Sequence, residues 1–155
     1  MRKALVFLFP VLLFSLSAFA GDKAPKDFKL VFRSSAGELE RATKETFEVT
    51  KGSVTVRRDA EIVGEEGVKT KYDKVYKISD EQLDQLYQVV VSSGFMTWPK
   101  NPEGPHQSTV SEVFEISADG KTVSHGRWEQ GNQEAFRALY ERWNSWFNSV
   151  RTVRF

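Results

Sequence analysis

The sequence predicts an α+β domain of two layers, a mainly antiparallel β-sheet covered on one face by two amphipathic helices. Three observations lead there. Strand-like segments follow one another at gaps too short for parallel crossovers, which need a dozen or more residues. Two segments, residues 78–95 and a stretch beginning near Asn132, carry one-sided apolar stripes at helical spacing. Each stripe must be buried against another element, and one face of a sheet can take both.

The first twenty residues read as an export signal. Arg2 and Lys3 form a positive start, residues 4–16 are apolar, and Ala18-Phe19-Ala20 supplies a small-x-small cleavage site. The apolar run is broken by Pro10 and is short for a membrane anchor. The chain has no cysteine, which excludes a lipidated-cysteine anchor and disulfide stapling. Loss of Arg2 and Lys3 with the leader turns the formal net charge from +1 to −1. That balance argues against nucleic acid or an anionic membrane as partner. The remaining chain is long enough to bury one core without staples.

Residues 21–26 (GDKAPK) read as a flexible leader. Residues 27–34 alternate Phe28, Leu30 and Phe32 on one side, a strand. Residues 35–46 are polar and charged and predict no regular element. Residues 46–50 and 53–58 read as two strands joined at Lys51-Gly52, with Phe47, Val49, Val54 and Val56 inward. Residues 59–67, with two glycines and three glutamates, read as a loop. Residues 68–78 alternate again, with Val68, Thr70, Tyr72, Tyr76 and Ile78 facing the core and a lysine-rich face toward water.

The helix that follows is the most clearly punctuated element. Ser79 and Gln82 have capping-box spacing, Ile78 and Leu83 suit a hydrophobic staple, and Asp80 and Glu81 oppose the helix dipole. Leu83, Leu86, Tyr87 and Val90 form its stripe, and Gly94-Phe95 supplies a left-handed stop. Residues 95–98 read as a short extended piece, and residues 99–109 (PKNPEGPHQST) as a proline-rich loop. Residues 110–117 form a strand with Val110, Glu112, Phe114 and Ile116 on one face, and Asp119-Gly120 turns it into a partner over 121–128. The closing helix carries Phe136, Leu139, Tyr140, Trp143, Phe147 and Val150, with Trp146 at the margin. It shares its cap-to-stripe spacing with the first helix, a match that ordinary capping produces without duplication.

This order, a sheet with an Ile-Ser-x-x-x-Leu-x-x-Leu helix ending in Gly94-Phe95, then an Asp119-Gly120-Lys121 hairpin and a closing helix, resembles small exported bacterial α+β domains of unknown function. The resemblance spans most of residues 47–150. It implies a fold and a compartment, and it transfers no catalytic residue.

The chemical candidates are few. No nucleophile elbow, phosphate loop, dinucleotide fingerprint or His-based metal motif is present, and no cofactor is expected. Ser124 and His125 are adjacent in a strand and point to opposite faces, so they form no direct dyad. A hydrolase built on distant carboxylates, with Glu112 and Glu115 as candidates, needs no local motif. Four tryptophans lie in the second half; Trp143 belongs to a helix stripe, whereas Trp98 and Trp128, with Arg127 and Glu129 nearby, are placed to line an aromatic cleft for a sugar. The proline loop presents His106 and Gln107 at reduced ordering cost. Trp98, His106, Gln107, Arg127 and Trp128 are therefore the expected ligand-binding residues. The expected function is an exported, non-catalytic module contacting a protein or another cell-envelope component. A carbohydrate or peptidoglycan binder is the alternative.

Overall fold

The computed structural model describes residues 22–38, 41–62, 70–105 and 109–152. The proposed signal, the acidic tip of the 59–67 loop, and His106 and Gln107 lie outside the described residues. Six strands form one antiparallel sheet: β1 (Lys29–Glu38), β2 (Arg41–Thr50), β3 (Ser53–Ile62), β4 (Thr70–Lys77), β5 (Val110–Ala118) and β6 (Lys121–Gly126). Their order across the sheet is β4-β3-β2-β1-β5-β6. Helices α1 (Asp80–Ser93) and α2 (Gln133–Thr152) pack on the same face. The α+β architecture expected from the sequence is the one observed.

Local chemistry sets the ends of α1. Ser79 Oγ accepts from the Gln82 N–H at 3.2 Å and Gln82 Oε1 accepts from the Ser79 N–H at 2.9 Å, a complete capping box. At the other end Gly94 takes φ +70, a conformation costly for any residue with a Cβ. The chain then makes a 3-10 turn over Phe95–Thr97 rather than the expected extended piece, and this drops Phe95 fully into the core. Residues 22–26 run beside α1, with the Ala24 N–H donating to Asp84 Oδ1 at 2.8 Å and Gln88 Nε2 donating to the Asp22 carbonyl.

The helices cross the strands, and their contacts show how. Tyr87 of α1 meets Phe28 before β1. Along α2, Phe136 meets Phe114, Trp143 meets Phe32, Phe47 and Phe114, and Phe147 reaches Phe47 and Tyr76. Trp143 is the hub: Phe32 lies 4.6 Å away, ring centre to ring centre, and Phe147 stacks on its other side. The helices are tied directly by Trp146 Nε1, which donates to the Gln82 carbonyl at 2.9 Å.

The strands are longer than the apolar alternation indicates. Residues 35–38 and 41–46 form the outer halves of β1 and β2, β3 runs on to Ile62, and β6 stops at Gly126. Apart from Ile62 and three alanines the added residues are polar or glycine, because the helices do not reach them. Tyr72 accordingly shares a face with half-buried Tyr76 and buried Ile78 yet is 43% exposed. On the opposite face Val31 is buried beneath flanking side chains, the Lys29–Glu48 and Arg33–Glu115 pairs among them.

The indole N–H of Trp143 has no acceptor among the described residues, so its ring area and its polar atom oppose one another. Trp143→Ala is expected to cost about 3–5 kcal/mol in urea unfolding. Trp143→Phe keeps much of the ring and removes the orphan donor, so its cost is expected to stay below about 1.5 kcal/mol. Equal costs for the two variants would contradict this account of the hub.

Candidate functional site

A ten-residue strand is about 33 Å long, whereas two packed helices cover about 20 Å. The strands therefore outrun their cover, and beyond α2 the inner face of the sheet is open. Sheet register places Tyr72, Arg58, Glu45, Ser34 and Glu112 in a single row across β4, β3, β2, β1 and β5. These five occupy inward-pointing positions, where Phe47, Phe32 and Phe114 stand one row closer to the helices. Polar side chains fill the row because no helix lies above it.

Together with α2 this row lines an open groove of about 440 Å³. Tyr140, Asn144, Asn148 and Arg151 form the helix wall, and Phe32, Phe47 and Trp143 close the inner end. Two ion pairs flank Ser34. Arg58 donates from both Nε and a terminal nitrogen to Glu45 Oε1, at 3.1 and 2.6 Å. Arg127 donates to Glu112 Oε2 at 2.8 Å, and the Glu112 side chain is only 11% exposed. Burial, then the negative charges of Glu112 and Glu45, push the Tyr140 phenol above its usual value, against a smaller opposite pull from Arg127. Tyr140 therefore stays a neutral hydroxyl that can donate into the groove. Amides, a phenol, carboxylates and guanidinium groups converge on one surface, a set that recognises a hydrogen-bonding ligand.

A second polar cluster is built at the far edge of the sheet. His125 and Glu129 are 1% and 2% exposed, and His125 Nδ1 lies 2.6 Å from Glu129 Oε2. Glu129 also accepts from Lys100 Nζ, from the Gly126 N–H at 3.1 Å and from Asn132 Nδ2 at 3.2 Å. Burial alone would raise the Glu129 carboxyl, but the hydrogen bonds from His125, Lys100 and Gly126 outweigh it and hold it at about 2. An ionised carboxylate accepts only, so Nδ1 of His125 is the donor. His125 Nε2 faces the rings of Phe95 and Trp98 and has no partner among the described residues. Lys100, Asn101 and Asn132 tie the proline-rich loop to the β6–α2 turn through the carbonyls of Ser124, Gln130 and Pro99. The cluster is a clamp inside the protein, closed to a substrate.

The residues expected from sequence to bind ligand fall in different places. Trp98 is half-buried, packs on Phe95 and His125, and donates from Nε1 to the Ser93 carbonyl at 3.0 Å. Trp128 is buried, donates to the Val110 carbonyl at 3.0 Å and carries the Arg127 guanidinium over its ring. Arg127 joins the groove row through Glu112 and is the one expected residue that the structure connects to it. Trp143 and Trp146 are core. Glu115 lies on the outer face against Arg33, away from Glu112.

Sequence reasoning missed Ser34, Glu45, Arg58, Tyr140, Asn144 and Asn148. The one visible signal was Glu112 sharing a strand face with Phe114 and Ile116. Among the described residues no group of three or more His, Asp or Glu side chains is arranged to hold a metal, and no helix is long and apolar enough to cross a membrane. The chain matches no protein-family model and no curated protein.

Glu129 links the clamp to acid stability. Its folded value of about 2 lies below its ordinary 4.5, so its contribution is complete above about pH 4.5 and is lost as pH falls toward 2. Glu129→Gln is expected to cost on the order of 3 kcal/mol at pH 7 and distinctly less at pH 3, measured by urea unfolding. A difference that does not change with pH would remove the carboxylate from this role.

Proposed function

We propose that the protein is an exported, non-catalytic binding module of the cell envelope, and that the groove beside α2 holds its ligand. The observation that carries this reading is the polar row at inward positions of five strands. A sheet end that only needed solvating could carry any polar residues. Here opposite charges are matched in two ion pairs, and the phenol and two amides of α2 are aimed at the same space. Each carboxylate is engaged by an arginine, which fixes acceptor positions for a ligand. Export rests on the leader's charge, apolar run and cleavage site.

The chemistry of the lining suits a polyhydroxylated or amide-bearing ligand, and fragments of envelope glycan combine both. Tyr72 and Tyr140 supply aromatic edges at the groove, a role that sequence assigned to Trp98 and Trp128. A second reading, a carboxylate-based hydrolase, draws on Glu45 and Glu112 standing two strands apart, about 10 Å at the backbone. Paired carboxyls at roughly that separation can flank a glycosidic bond.

Solubilised peptidoglycan fragments titrated against the chain from residue 21 onward are expected to bind saturably. Ser34→Phe, which fills the floor of the groove, is expected to weaken that binding at least about tenfold while leaving the unfolding midpoint near that of the parent. Product release by the parent, abolished in Glu112→Gln, would favour the hydrolase. Absence of binding at millimolar fragment would sink the glycan assignment, and a Ser34→Phe variant that binds normally would move the site elsewhere.

A further inference from the structure

The two edges of the sheet are finished differently. On β6 the Arg127 N–H reaches back to the Glu112 carbonyl at 2.9 Å, so alternation turns the backbone groups of Ser124 and Gly126 outward. Both are taken: the Ser124 carbonyl accepts from Lys100 at 2.9 Å and the Gly126 N–H donates to Glu129 at 3.1 Å. On β4 the Ile78 N–H donates to the Gly52 carbonyl at 3.1 Å, which continues the β3 pairing. The same alternation leaves the N–H and C=O groups of Lys71, Asp73, Val75 and Lys77 pointing out of the sheet. No described strand pairs with that edge. Two of the three large apolar side chains most exposed among the described residues sit on it, Val75 at 62% and Tyr72 at 43%.

We infer that β4 is the interface of a symmetric homodimer, pairing antiparallel with β4 of a second copy with Val75 opposite Val75 on the two-fold axis. The charges and the exposed valine together select this register. Centred on Asp73, the pairing would set two carboxylates face to face; centred on Lys74, two ammonium groups, each arrangement repulsive at the closest cross-strand distance. Centred on Tyr72, it would set Asp73 opposite Lys71 of the partner subunit, but it would carry Val75, the most exposed large apolar side chain among the described residues, away from its own copy and leave Lys77 without Asp73. Centred on Val75, it sets Asp73 opposite Lys77 of the partner subunit twice over, and Lys74 beside Tyr76 of the partner subunit.

Parity agrees, because Asp73, Val75 and Lys77 all direct their backbone groups outward. Three directly opposed pairs then exchange about six backbone hydrogen bonds. Asp73, already 3.9 Å from Arg57, would gain a second cation, and Lys77 has no anionic partner among the described residues. Lysines along an edge ordinarily discourage strand addition. Here one acidic residue set four positions from a lysine, with exposed Val75 midway between them, makes the Val75-centred register self-complementary in both charge and apolar contact. A strand that is its own complement specifies its own chain as the occupant.

The test is the mass in solution of the chain from residue 21 onward, by light scattering or sedimentation, from about 1 to 100 μM so that mass action is visible. A dimer is expected in the upper part of that range. Asp73→Lys and Lys77→Asp are each expected to weaken association at least about tenfold, and the double exchange is expected to restore it. The chain has no cysteine, so Val75→Cys introduces the only thiol and requires no loss of folding to be informative. Residues opposed across a two-fold have Cα atoms about 5.5 Å apart, within disulfide range, whereas Asp73→Cys and Lys77→Cys would hold their thiols too far apart. Mild oxidation should therefore bridge Val75→Cys in preference to the other two. A monomer at every concentration, a double exchange that fails to restore the dimer, or faster bridging through Asp73→Cys would each overturn the proposal. So would a monomer that adds a strand from a different protein.

Discussion

The structure depends on a mismatch of lengths. Ten-residue strands need cover over about 33 Å, and one layer of two helices provides about 20 Å. The aromatic core is gathered under the helices, from Phe28 beside α1 to the Phe32–Phe47–Phe114 row beneath Trp143. What extends beyond them must be wet, so the chain switches to serine, glutamate and arginine at positions that still point inward. The groove is the direct outcome of that switch. From Arg58 to Glu112 its floor is as rigid as the sheet, because each of those residues is held by strands on both sides or, for Glu112, by β1 and the turn after β6, while Tyr72 sits on the edge strand.

The same switch decides how much of this molecule was legible in its sequence. Strand prediction rests on apolar alternation, and alternation ends where the helices end. Residues 35–38, 41–46 and 59–62 therefore looked like connections although they are strand, since Ser34, Glu45 and Arg58 give no apolar mark at inward positions. The helices were readable nearly to the residue. Their signals are local: a capping box at Ser79, a left-handed Gly94, and stripes of bulky side chains. Glu112, flanked on its own face by Phe114, was the trace of the groove that a single strand could show. The partners it meets come from β1, β2, β3 and α2, and only register brings them together.

The clamp around Glu129 was hidden for a different reason. His125 and Glu129 are four apart, a spacing that brings side chains together in helices, but here a turn after β6 does so. Burying a carboxylate is costly unless its lone pairs are filled. The turn fills them with an imidazole N–H, an ammonium, a backbone N–H and an amide. One carboxylate thus positions the β6–α2 turn, holds the proline-rich loop through Lys100 and satisfies a backbone donor at the margin of the sheet. The tryptophans that sequence placed around a cleft also brace the frame, Trp98 through its bond to the end of α1 and Trp128 through its bond to the start of β5.

The strand order also sets an order of events for a chain that emerges from its amino end. β1 to β4 form a meander whose contacts are local in sequence and cheap to close. The other side of β1 waits for β5, whose Glu115 lies 82 residues from its ion-pair partner Arg33. Until then Leu30 and Phe32 lack their last strand, and Phe32 and Phe47 lack the α2 ring of Trp143 that covers them. The late, long-range closure of β5, β6 and α2 onto β1 is thus the step that creates the core, and an incomplete chain would present a bare apolar face and an open strand edge at once. A polypeptide that cannot finish its core before its final helix is made stays open along its whole length until that moment.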